Sequence, residues 1–247
     1  MIKNSNYSLD TKGEKLVNKF LLKNYYPRLK SSGDLLDYES ISSNTDLQKR
    51  GVDMILTDGE GNLLNYDLKA AVAYINRQMP TFAFEINTIG EANGRRLLRT
   101  GWLVDDTLET NVYSVINVFG LPKKDSEGNL LLGYGYLRQA SSEDICRVEI
   151  INIEKSRLRE YLDSKGLTAE VLMSYANVMR KNGIQKKELI PGVKLCLSLH
   201  LREQPCCAVI SKNILLELCE SAYIVKRSGI SPLQNKSTTK KGQYHEL

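Results

Sequence analysis

GVDMILT-DGEGN-LLNYDLKAAVAY, residues 51–74, decides how this chain folds. GVDMILT (51–57) reads as one strand, DGEGN (58–62) as a turn, and Leu63 to Tyr74 as a second strand. Asp67 and Lys69 are two positions apart, so on a strand they share a face with Leu63, Asn65 and Ala71. Leu64, Tyr66, Leu68, Ala70 and Val72 then form an apolar opposite face that meets the core. A loop centred on Glu60, with Gly61 free to adopt a left-handed conformation, is a standard odd-length hairpin connection. Paired residue numbers then sum to 120, which sets Asp53 directly opposite Asp67. Facing carboxylates repel and one of their pKa values rises. Lys69 offsets part of that repulsion, and a divalent cation would offset more. An even-length loop would shift the register by one and undo the pairing.

Working outward, Val17, Phe20, Leu21 and Tyr25 recur at helical spacing, predicting a helix over 12–25 with Thr11 to Glu14 as a capping box and Pro27 just beyond its end. A strand is expected at 34–41 and a polar loop from Ser42 to Arg50. After the hairpin come strands at 81–86 (TFAFEI) and 111–119 (NVYSVINVF), with a helix at 91–100 between them. DSEGNLL (125–131) echoes DGEGNLL (58–64); shared turn chemistry explains this better than duplication, because the flanks differ and no second D-x-K follows. Further strands are expected at 130–137, 147–153, 193–201 and 206–210, and helices at 154–164, 168–181 and 214–223. From 228 onward Gly, Pro, Ser, Thr, Asn and Lys dominate, and the tail to 247 is expected to be disordered. The expected fold class is therefore α/β: a mixed central sheet flanked by helices, with a core over 1–140 and an α/β extension over 141–227 packed on it.

Composition excludes several classes. No apolar run reaches the ~18 residues of a membrane span, the first residues have no signal-like apolar core, and a cytoplasmic location is expected. Five scattered cysteines and two histidines make neither a zinc site nor a disulfide framework. No phosphate-cradling glycine motif supports ATP or dinucleotide use, and neither His200 nor His245 has an evident nucleophile partner. The formal charge of +5 permits nucleic-acid binding without demanding it, since Lys226, Arg227, Lys236, Lys240 and Lys241 account for the excess. A DNA surface must therefore be a local patch.

Hard cations such as Mg2+ or Mn2+ take carboxylate and water ligands and can activate water against a phosphodiester, with Lys69 orienting the water or stabilising developing charge. Glu14 falls toward the inward face of the first helix. Quoted as it stands, Glu14, then GVD with Asp53, then DLK with Asp67 and Lys69, the constellation resembles the PD-(D/E)xK nuclease superfamily, with its restriction-endonuclease-like fold, over about residues 10–120. The motif's leading proline is absent. The resemblance implies that Asp53 and Asp67 ligate magnesium, that Lys69 assists the nucleophile, that Glu14 is an accessory acid, and that DNA is the substrate of an endonuclease. Gln48 and Glu85 are candidate accessory residues. Lys49, Arg50 and the cluster Arg95, Arg96 and Arg99, placed on the helix after Gly94, are candidate phosphate contacts. Trp102 reads as core. The competing reading is a non-catalytic nucleic-acid-binding or interaction module on the same fold, and a homo-oligomer is compatible with either.

Overall fold

The computed structural model describes residues 7–41, 44–92 and 94–233. Helix α1 (Tyr7–Asn24) buries Val17, Phe20 and Leu21 along one stripe, and α2 (Tyr26–Ser32) carries Pro27 in its first turn, where a missing N–H removes no helical bond. The expected start at residue 12 is overturned. Glu14 lies about two turns inside α1, so the capping-box role of Thr11 and Glu14 falls away.

Strand β1 (Leu35–Ser40) is followed by α3 (Thr45–Lys49), a turn of helix inside the expected loop. The Asn44 side chain caps it by accepting from the N–H groups of Asp46 and Leu47. Strands β2 (Met54–Asp58) and β3 (Leu63–Ala70) form the expected hairpin. The Gly61 N–H donates to the Asp58 carbonyl at 3.1 Å, with Gly61 at φ 90°. Met54 faces Tyr66 and Thr57 faces Leu63, so the register sums to 120. The Asp58 carboxylate accepts from the N–H groups of Glu60 and Asn62, both at 2.9 Å; Asp125 does the same with Glu127 and Asn129, also at 2.9 Å. The repeated sequence is repeated turn chemistry. A 3-10 turn, Val72–Tyr74, ends β3 before the predicted Tyr74.

Strands β4 (Thr81–Ala92) and β5 (Arg95–Thr100) replace the helix predicted at 91–100. Here cross-strand pairing, Ala92 against Arg95 through Asn87 against Thr100, overrides the helical preference of Arg and Leu. After β6 (Val112–Gly120), the strand predicted at 130–137 is instead α4 (Gly133–Gln139), which buries Tyr136 and Leu137 on its inner face. Next come β7 (Ile145–Glu154), α5 (Lys155–Ser164) and α6 (Ala169–Asn182). Strands β8 (Lys186–Ile190), β9 (Val193–Leu197) and β10 (Cys206–Ser211) form a meander. The helix predicted at 214–223 is α7 (Lys212–Leu218), and its predicted end belongs to β11 (Ser221–Lys226). The expected tail from 228 is corrected at its start by β12 (Gly229–Pro232); the remainder of it beyond 233, with His245, lies outside the described residues.

The fold is mixed α/β, as the sequence predicts. One sheet runs β1-β2-β3-β6-β7-β11-β12, antiparallel except where β3 meets β6, and the other runs β5-β4-β10-β9-β8, antiparallel throughout. Helices α1, α2 and α4 cover one face of the first sheet over Met54, Leu56, Ile116 and Val118. Its other face, with Tyr113, Val115 and Ile151, packs on the second sheet and on α5 and α6. The parallel β3/β6 pair forces a long crossover, and that crossover carries β4 and β5. Among the described residues no helix is long and apolar enough to cross a membrane.

Candidate active site

Beyond Tyr66, β3 pairs only with β6, from Asp67 against Tyr113 to Ala70 against Ile116, because β2 begins at Met54. The other edge of β3 is therefore open along residues 67–70. Asp53 closes the ladder at this point. Its N–H donates to the Tyr66 carbonyl at 2.8 Å, and its Oδ2 accepts from the Leu68 N–H at 2.8 Å. These two bonds bracket Asp67, so Asp53 sits across from it, as the hairpin register requires.

Asp67 is 4% exposed. Burial pushes its carboxyl up to about 6; the Lys69 charge pulls the other way, and Asp53 adds to the rise by charge and by hydrogen bonding. Lys69 Nζ lies 2.7 Å from Asp67 Oδ2 and 4.4 Å from the centre of the Trp102 ring. The lysine is thus held between a carboxylate and an indole face, an arrangement that fixes a flexible ammonium in place.

Glu14 reaches the same cleft from α1. A Cβ on the preceding Gly13 would lie 2.7 Å from the Val72 side chain, so the glycine lets α1 approach the end of β3. The Glu14 side chain is open to solvent at the mouth of the cleft. Even so, the surrounding walls raise its pKa by desolvation, Asp53 raises it further and Lys69 lowers it. The cleft encloses about 730 Å³ and is lined by Glu14, Gln48, Asp53, Asp67, Lys69 and Trp102, among others.

The remaining sequence candidates divide. Gln48 and Lys49 line the cleft from α3, both exposed. Arg50 instead pairs with Glu109 and does not line the cleft. Glu85 on β4 is half-buried; burial raises its carboxyl and Lys69 lowers it, so it lies within electrostatic reach of the lysine. Arg95, Arg96 and Arg99 stand outside the cleft on β5. Two participants were missed. Trp102 does pack on Phe84 and Tyr113, at ring-centre distances of 5.2 and 4.9 Å, but it also covers Lys69. Asp10 lines the cleft one turn before Glu14, and its i, i+4 spacing from Glu14 was the available signal once α1 is known to start earlier.

Among the described residues no three His, Cys, Asp or Glu side chains converge tightly enough to form a metal-binding group on their own. Asp53 and Asp67 nonetheless suit a hard divalent cation, which binds through one or two carboxylates and keeps several waters. The fit is chemical: the buried Asp67 carboxylate faces Asp53, with Glu14 lining the same cleft, and three carboxylates stand against the single ammonium of Lys69. No family model, curated protein or solved structure matches this chain.

Proposed function

We propose that this chain is a divalent-cation-dependent nuclease that hydrolyses DNA phosphodiester bonds, an endonuclease of the PD-(D/E)xK kind. The observation that carries the reading is the convergence at one open strand edge: Asp53 across from Asp67, Lys69 paired to Asp67 at 2.7 Å, and Glu14 joining from a separate helix. A surface ion pair would explain Asp67 and Lys69 alone. It would not explain a second carboxylate that brackets the first, nor a third carried in by a glycine-permitted helix approach.

Asp53 and Asp67 would hold Mg2+ or Mn2+, which when bound supplies charge neutralisation at the scissile phosphate and an acidified water. The chain's own residues do the rest. Burial of Asp67 strengthens its charge interactions with Lys69 and with a bound cation. Lys69 keeps Asp67 anionic near neutral pH, and its ammonium, steadied by Trp102, is placed to donate to a phosphate oxygen as negative charge builds on it. Glu14, at the solvent mouth with a raised pKa, is suited to exchange a proton with an incoming water. The open edge of β3 leaves room for a nucleic-acid strand where another β-strand would otherwise lie.

The test incubates plasmid, linear and branched DNA with the protein and MgCl2 or MnCl2, beside Asp67→Ala and Lys69→Ala. Cleavage by the wild type that falls by a factor of at least about 100 in each variant is expected, the scale of a lost electrostatic or proton-transfer group. Equal activity in all three, or none in any, refutes the reading.

A further inference from the structure

We infer that β4 and β5 form an arm that grips duplex DNA by its phosphates beside the cleft. β4 pairs with β10 only from Thr81 to Asn87; beyond that its one sheet neighbour is β5. Thr88–Ala92 and Arg95–Arg99 therefore project past the sheet as a two-stranded ribbon. A two-stranded ribbon is narrow enough to enter the major groove of B-DNA.

The ribbon is basic and outward-facing. All six residues of β5 are exposed, and three of them are Arg95, Arg96 and Arg99. Among the described residues, none of the three has a carboxylate within ion-pair distance. The ribbon's own Glu91 is engaged with Arg202 at 2.5 Å. Arg95 and Arg99 share one face and Arg96 takes the other; the Arg99 guanidinium lies along the ribbon over Gly90 and donates to the Glu91 carbonyl at 3.3 Å, and all three stay exposed, so both faces carry a cation. It is braced along one edge: near its root the Ile89 N–H and the Thr88 hydroxyl donate to the Glu203 carbonyl at 2.6 and 3.0 Å, and farther out Arg96, opposite Glu91, donates to the Arg202 carbonyl at 3.2 Å.

The arm is also built into the site. β4 leaves the cleft after Phe84, the last of its residues to line it, and the chain returns from β5 to Trp102, which covers Lys69. At about 3.4 Å per residue along a strand, the Thr88/Arg99 pair lies ~10 Å from Glu85 and the Ala92/Arg95 pair ~24 Å from it. On B-DNA those spans correspond to roughly three and seven base pairs from the scissile phosphate. The placement along the duplex rests on the nuclease reading; the grip itself does not. A second copy of this chain is a poorer occupant, because pairing of β5 with β5 would bring the three arginines of each strand together in one narrow ribbon.

The test uses the full chain carrying Asp67→Asn, so that DNA is not consumed, and a labelled 30-base-pair duplex, with fluorescence anisotropy read from 50 to 300 mM KCl. Adding R95A/R96A/R99A should reduce the slope of log K against log salt by about 2–3, near 0.9 per lost phosphate contact, and weaken binding at least tenfold at 100 mM KCl. R95K/R96K/R99K should keep the slope within one unit of the parent. An unchanged slope in the alanine variant, a parent that does not bind duplex, or a lysine variant that falls as far as the alanine one overturns the proposal. So does a dimer in sedimentation velocity that only the alanine variant loses while its salt slope holds. A normal arm effect in a protein that cleaves nothing refutes the nuclease reading alone; cleavage with an arm-independent slope refutes the arm alone.

Discussion

Asp67→Asn should stabilise the protein at alkaline pH and leave it nearly unchanged at pH 4. An ordinary aspartate ionises near 3.8, and in the folded protein Asp67 ionises near 6, chiefly because it is buried. That gap of roughly 2 pH units is worth up to about 3 kcal/mol. The sign follows from proton counting. Between the two values the folded state holds a proton that the unfolded state has released, so stability falls as pH rises from about 4 to about 6 and is flat beyond. Asparagine mimics the protonated acid at every pH and can donate its amide to the Asp53 carboxylate. Urea melts of both proteins at pH 4, 6 and 8 give the difference directly, and the pH dependence of carboxylates away from Asp67 cancels in it, leaving Asp67 with its coupled neighbours Asp53 and Glu14. The variant should match the wild type at pH 4 to within about 1 kcal/mol and exceed it by up to about 3 kcal/mol at pH 8. A gap no larger at pH 8 than at pH 4, or a variant less stable at pH 8, refutes the idea that the fold holds an unfavourable charge at Asp67. A cation between Asp53 and Asp67 would relieve that charge. Magnesium at 10 mM should therefore stabilise the wild type at pH 8, by about 1.4 kcal/mol for a site half-filled at 1 mM, and should leave Asp67→Asn unmoved.

Two other perturbations probe the walls of the cleft. Gly13→Val drives a side chain into Val72, which a Cβ would already approach at 2.7 Å; urea melts should show a loss of about 1–3 kcal/mol from overpacking, together with weaker cleavage as α1 and Glu14 withdraw. Trp102 is the chain's single tryptophan and lies over Lys69, so its fluorescence reports on the site; Lys69→Met should shift or brighten the emission, and an unaltered spectrum would show that the ammonium does not rest on the ring.

The site was legible where local chemistry sets geometry and illegible where distant partners do. The register of β2 and β3 follows from an odd loop with glycine at its left-handed position, so Asp53 opposite Asp67 could be derived from residues 51–69 alone. The ribbon could not, because Arg95 to Thr100 has the composition of a helix surface and becomes a strand only through pairing with β4, whose own placement depends on β10, more than a hundred residues later. The first helix shows the same limit: Thr11 to Glu14 has the spacing of a cap, and only the longer α1 reveals Glu14 as an interior residue without a capping task. That revision strengthens the site, since it removes the structural explanation for a carboxylate at this position. The motif also understates what the fold contributes. Asp67 and Lys69 on a fully paired strand would be an ion pair on a sheet surface. They line a cleft instead because Asp53 satisfies the Leu68 N–H with its side chain where the β2 ladder ends, which leaves the β3 edge unpaired beyond Tyr66; on the proposed nuclease reading that edge is where the substrate strand lies. Replacing Asp53 therefore removes more than one ligand: it frees a backbone donor at the edge of the cleft, and the same carboxylate that would hold a cation also holds the opening in shape.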